Sequence, residues 1–364
     1  MKKTTSIIIA VMLVVSLSAC NAKEENKVNI EEPEETVITV NNVDQEMQEP
    51  EISVEKIEQL GERVVISEWM DEENAIVSKE NTTLGKMTSE EFEGAYPRSL
   101  YYYNTNTKEY TPIMEKENIL LGGGTLSSDK KFLLYSEYVL GDPSYFIMNL
   151  DTKDSFCICN DNIGGARSAI WVGNEVVGAA FNGGLYTAST SGEISILAGL
   201  EGESIFILRA TKDYIYYTGD NTSLMKMNRA TEEKTSLNIE NVFDVVLSAD
   251  GAKMLILQSD DTKSELLLVN LEDGKQTTIA EGTDISSISW SPDQRRVAYA
   301  IKFDGTNTTM NGLYAYDMLS AKPTQIAPEI QDAFTSWSPL GDKLMYAEWN
   351  GEEYESSIIY LKQQ

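Results

Sequence analysis

Histidine is absent and cysteine scarce in this sequence, which removes or limits two of the side chains most used in acid–base, nucleophilic and metal chemistry. Its 364 residues include no histidine and three cysteines. Without imidazole there is no Ser-His-Asp or Cys-His pair and no His-ligated metal, so catalysis would have to run on carboxylates, Tyr or Lys. The reactive position with the most specific surroundings is Cys20. Lys2 and Lys3 open the chain, an apolar run extends from Ile7 to Leu17, and Leu17-Ser18-Ala19-Cys20 follows. The run is short for a permanent membrane span. Small residues before Cys20 admit a peptidase, and the thiol accepts a diacylglyceryl group. Residues 1–19 are therefore expected to be a lipoprotein signal peptide, with Cys20 the lipid attachment residue and first residue of the mature chain. A diacylglyceryl group supplies the two-chain burial that stable anchoring needs. The expected location is the cell membrane, on its extracytoplasmic face.

The other two thiols lie in SFCICN, as Cys157 and Cys159. Residues two apart in an extended strand stand about 6.5–7 Å apart at Cα, at the outer limit for a disulfide. The pair is expected to be two small buried side chains, not a bridge. Asp304, Asn307 and Asn311, in KFDGTNTTMNG, carry oxygens that Ca²⁺ could use. Their spacing is not that of an EF-hand and the Glu at the twelfth position is missing, so no metal and no cofactor is assigned. The 58 Asp and Glu residues could hide a converging carboxylate pair, which makes a glycosidase or other carbohydrate-active enzyme the catalytic alternative. No motif points to such a pair, and no catalytic residue is assigned.

The formal net charge of −29 makes nucleic acid a poor partner, because a polyanion needs a Lys/Arg patch. Apolar residues make up 41% of the chain, enough for a substantial core. Residues 20–51 are the exception: rich in Glu, with two prolines and no aromatic residue. They are expected to form a flexible acidic tether spanning roughly 30 Å as a coil.

Residues 52–364 repeat. ISWSPDQRRVAYA (288–300) is followed by TSWSPLGDKLMYA (335–347), and worn copies centre on Trp69, Leu126, Trp171, Leu208 and Leu247. Successive anchors, ending at Trp290 and Trp337, are 57, 45, 37, 39, 43 and 47 residues apart. Each copy reads as an alternating strand, a turn, an apolar strand, a third strand ending in a polar break, and a short fourth strand. Four antiparallel strands in about 45 residues are one propeller blade. Seven anchors predict a seven-bladed all-β propeller, with six blades as the alternative. The last copy lacks a fourth strand, and residues 51–60 are expected to supply it and close the ring.

The Trp-Ser-Pro-Asp, basic, Val-Ala-Tyr pattern, with Leu-Tyr-Ala-Tyr-Asp downstream, resembles the TolB-type repeat of bacterial propellers. With the Cys20 motif, the chain resembles propeller lipoproteins of Gram-positive bacteria such as the YqgU-like group. The resemblance implies a fold and constrains function only loosely. Four of the five tryptophans occupy the anchor position, which favours packing between blades over a sugar-stacking ring. Specificity is expected in the loops that differ between copies: the 78–99 insertion, LGDPSY with Asp142 and Tyr145, and the loop with Asp304, Asn307 and Asn311. The resulting expectation is a membrane-anchored, non-catalytic module that binds an envelope protein. Capture of a small ligand or peptide in the central channel is a further alternative.

Overall fold

A computed structural model describes residues 52–88, 92–139, 142–260, 262–304, 309–351 and 354–362. The expected signal peptide, Cys20 and the expected tether lie outside these. Among the described residues, twenty-eight strands and no α-helix form groups of four antiparallel strands. Blades 1 to 6 occupy 64–114, 120–157, 166–197, 207–236, 242–282 and 284–328; blade 7 occupies 334–362 and takes its outer strand from 53–62. One parallel pair, Arg98 with Leu120, stitches blade 1 to blade 2.

The first strand of each blade is innermost: Val64–Trp69, Leu120–Leu126, Ala166–Val172, Ile207–Ala210, Val242–Leu247, Asp284–Trp290 and Phe334–Trp337. Each touches the first strand of the next blade, and Phe334–Trp337 touches Val64–Trp69, so the series closes on itself. The ring holds because every second strand is buried on both faces. Leu133 faces the cluster shared by blades 1 and 2, while its neighbour Leu134 faces the cluster shared by blades 2 and 3. Val176 and Val177 divide in the same way. One such apolar cluster fills each seam, including that between blades 7 and 1. The N-terminal strand closes blade 7 as expected: Ser53–Glu62 runs antiparallel to Tyr354–Lys362, from Ser53 opposite Lys362 to Glu62 opposite Glu355.

The repeated Ser-Pro-Asp turn has a simple mechanism. Ser291 Oγ donates to Asp293 Oδ1 at 2.5 Å and accepts from Arg296 N at 2.8 Å, while Asp293 Oδ1 also accepts from Arg295 N at 3.0 Å. Ser127 with Asp129 and Ser248 with Asp250 repeat the arrangement. The short side chains satisfy turn N–H groups that the strands leave unpaired. The polar break after the third strand recurs for the same reason. Asn104, Asn149, Asn228, Asn270 and Asp317 each accept two backbone N–H groups of the following turn.

One expectation is overturned. Cys157 and Cys159 are joined by a disulfide, with their Cα atoms 5.4 Å apart. The extended spacing does not apply because the fourth strand of blade 2 stops at Cys157. Beyond it the chain bends to bury Ile158 completely, leaving Cys159 exposed. A bridge across so few residues removes little unfolded-chain entropy, so reduction is expected to cost less than about 2 kcal/mol. Thiol labelling before and after reduction, alongside urea melts of both forms, checks this; full labelling without reductant would show that the bridge does not form.

Candidate functional site

The seven first strands line a central channel. Several carry a bulge, between Ile66 and Glu68, Gly122 and Gly124, Val242 and Asp244, and Ser286 and Ser289. A bulge re-aims side chains, and Ser67 and Glu68 both line the channel for that reason. Much of the lining is hydroxyl: Ser67, Ser286, Ser287, Ser289, Thr335 and Ser336. These groups also tie blade 6 to blade 7, with Ser287 Oγ accepting from Ala333 N at 2.7 Å and Thr335 Oγ1 donating to Ser289 Oγ at 2.7 Å.

At the mouth where the first strands end, a cavity of about 660 Å³ is lined by Trp69, Trp171, Trp290 and Trp337 together with Glu68 and Lys130. The indoles pack rather than stand free. Trp69 and Trp337 are buried. Trp69 Nε1 donates to Ser336 O of blade 7 at 3.1 Å, and Trp171 Nε1 donates to Thr125 O of blade 2 at 2.9 Å. Glu68 is the one carboxylate among the described residues lining this mouth. Burial pushes its carboxyl up to about 7, against the Leu126 N–H that it accepts and the nearby Lys130 ammonium.

The opposite mouth, where the first strands begin, is the loop face. Antiparallel order returns every second-to-third-strand connection to this side, so the described residues 81–88, 92–97, 139, 142–143, 303–304 and 309–311 share it. The described parts of the three loops singled out in the sequence thus gather on one face. Their candidate residues differ in availability. Asp142 and Asp304 are exposed. Tyr145 packs against the seam of blades 2 and 3. Asn311 is buried, its Oδ1 accepting from Phe303 N at 2.7 Å, so this oxygen holds the loop's own backbone. Asn307 lies outside the described residues.

Sequence reasoning missed the aromatic surface on this face. Phe206, Phe243, Phe334 and Trp349 are 55%, 62%, 59% and 54% exposed. Tyr354 joins the last two, with ring centroids 5.8 Å from Phe334 and 5.1 Å from Trp349. They escaped notice because each sits in an ordinary strand pattern; only the topology shows that these strand ends meet. Two cavities open here. One of about 660 Å³ is lined by Asp244, Asp332, Phe334, Trp349 and several channel serines. Its Asp244 is paired with Arg209 at 2.9 Å. The other, of about 580 Å³, lies at the seam of blades 1 and 2 and includes Arg98, Phe92 and Gly122 to Gly124. A larger groove of about 950 Å³ lies on the far face over the short strands of blade 4, where Arg229 pairs with Glu175 at 2.6 Å.

No family profile and no curated protein matches this chain. Solved structures do. An oligogalacturonate lyase in complex with manganese superposes with a TM-score of 0.64 at 10% identity, covering 84% of this chain and 93% of that one. The oligogalacturonate lyase of Vibrio parahaemolyticus gives 0.61 at 13% identity, over 84% and 91%. The β-propeller domain of Myceliophteria thermophila Cps50 (Swd1) gives 0.55 at 11% identity, over 83% and 99%. At these identities the likeness is one of fold, and the fold is the all-β propeller.

Proposed function

We propose that this chain is a non-catalytic binding module of the cell envelope, held at the membrane by lipid on Cys20, that recognises a protein partner through its loop face. The observation that carries this reading is the set of large aromatic side chains left in water there, Phe206, Phe243, Phe334 and Trp349. Exposed apolar groups gathered beside variable loops mark interaction surfaces. The acidic balance of the chain, −29, favours a partner with a basic rim around an apolar centre. A carboxylate-based enzyme is less well supported. Among the described residues Glu68 has no second acid at its mouth, and at the other mouth Asp244 is engaged by Arg209, which leaves Asp332 as the one other acid of that cavity.

Crosslinking in intact cells tests the proposal. The wild type is expected to capture one envelope protein. A Phe334→Ser/Trp349→Ser pair should reduce that yield by about ten-fold, as the loss of a central aromatic anchor does. Recovery of nothing above a Cys20→Ala control would overturn it.

A further inference from the structure

The seam between blades 1 and 2 contains a cation whose hydrogen bonds, among the described residues, all go to neutral acceptors. Arg98 opens the third strand of blade 1 and lines the 580 Å³ cavity at the loop-face mouth. Its Nε donates to Ser78 Oγ at 3.0 Å, and its Nη2 donates to Ser78 O at 2.5 Å and Arg63 O at 2.9 Å. Among the described residues Nη1 meets no acceptor and no carboxylate pairs with this guanidinium. Glu80, the acid whose charge it feels, is bound by Arg63 Nη1 at 2.5 Å. A half-buried cation with no carboxylate paired to it among the described residues is held less favourably than one with a partner acid. Its burial is deep enough to pull the guanidinium down to about 10.

The space beside it suits an apolar body. Phe92, Tyr138, Leu120, Leu134, Phe334 and Tyr354 line the cavity. The inner strand of blade 2 contributes Gly122, Gly123 and Gly124 here, where other first strands carry side chains. Gly123 has φ +42, and a Cβ built on it would meet nothing nearer than Ser136 Oγ at 3.9 Å. The strand therefore leaves open space over its bulge. Ser67 Oγ, buried and without a partner among the described residues, lines the same cavity.

We propose that this pocket binds a carboxylate carried on an apolar or aromatic body, with Arg98 Nη1 holding the acid and the aromatic walls holding the body. Among the described lining residues Arg98 is the one cation, and a single guanidinium suits a monoanion better than a phosphate dianion. The cavity volume lies in the range of small-ligand sites. The inference rests on the reading of the loop face as the binding face and names the chemistry it accepts.

Calorimetric titration of the purified full chain with 3-phenylpropionate and with its amide reads the charge requirement directly. The acid is expected to bind about ten-fold or more tighter than the amide, as loss of a charged hydrogen bond implies. Arg98→Gln should bring that ratio close to one. Phe334→Ala, at an exposed side chain, should weaken acid and amide alike and keep the ratio. Equal binding of acid and amide by the wild type, binding of neither, or an unchanged ratio in Arg98→Gln overturns the proposal. Because Arg98 also holds Ser78 and Arg63, the wild-type contrast and Phe334→Ala decide the matter if Arg98→Gln does not fold. Peptides ending in Phe, with free or amidated C-termini, identify the source. Preference for the free terminus points to a chain end, and binding of the small acid alone points to a free metabolite. Failed partner capture with an intact acid preference overturns the protein-partner reading only; the converse overturns this inference only.

Discussion

Deleting residues 52–62 is expected to abolish cooperative unfolding and turn the chain into an aggregating species. The argument is topological first. Ser53–Glu62 is the outer strand of blade 7 and the only link, through pairing with Tyr354–Lys362, between the start and end of the described chain in one sheet. Its removal exposes the nine-residue edge Tyr354–Lys362 with its unpaired N–H and C=O groups, an open template for another chain. Packing follows. Ile52 is 1% exposed and Leu60 9% exposed. Ile52 sits in the seam of blades 6 and 7 and Leu60 in the seam of blades 7 and 1, so the strand seals two clusters at once. Burying two such side chains contributes about 3–6 kcal/mol. That approaches the ~5–15 kcal/mol by which a domain is stable, before Ile358, Ile359 and Leu361 are counted. Urea unfolding and size-exclusion chromatography of the deletion variant check this. A monomer that melts within a few degrees of wild type would show that closure is unimportant. Recovery of the monomer on adding a peptide of residues 51–62 would show that the strand acts by pairing.

The ring was legible in the sequence because its parts recur. Trp290 and Trp337 end first strands, Ser291 and Ser338 accept the N–H of the residue that opens the second strand, and Asp317 repeats the role of Asn270. Each repetition averages away local accident, and the missing fourth strand of the last copy identified its replacement near residue 51. What was not legible depends on convergence in space. Nothing around Phe243 or Phe334 in the sequence distinguishes an exposed ring from a core ring. Only the meeting of strand starts from different blades puts them on one face. Arg98 is similar: in PRSLYYY it reads as a polar strand residue, and its lack of a paired carboxylate among the described residues follows from Glu80 being taken by Arg63. The disulfide was missed for a local reason, since the spacing rule assumed a strand that ends two residues earlier. Glu68 was one of 58 acids, and only the bulge after Ile66 sets it apart.

That bulge makes Glu68→Gln the most informative single change in the channel. Burial raises the Glu68 carboxyl from 4.5 to about 7 in the folded chain. Between those two values the unfolded chain has released the proton and the folded chain still holds it. Stability therefore falls as pH rises through this window, and above about 7 the penalty is complete and constant. At about 1.4 kcal/mol per pKa unit, the loss reaches at most about 3–4 kcal/mol, and channel water will lower that figure. Gln is neutral throughout and keeps an oxygen for the Leu126 N–H that Glu68 accepts. The variant should match wild type near pH 4.5 and become progressively more stable than it towards neutrality, so that the difference curve rises where wild type titrates. Urea melts of both proteins across that range measure the difference and cancel the titration of every other group. Parallel curves would mean that Glu68 ionises at an ordinary value and that water reaches it freely. A difference that instead grows towards low pH would mean that its carboxylate is stabilised, with Lys130 outweighing burial. In either case the tryptophan-lined mouth would be a wet, charged opening. The expected result makes it one that carries a neutral carboxyl in acid and gains a negative charge only near pH 7.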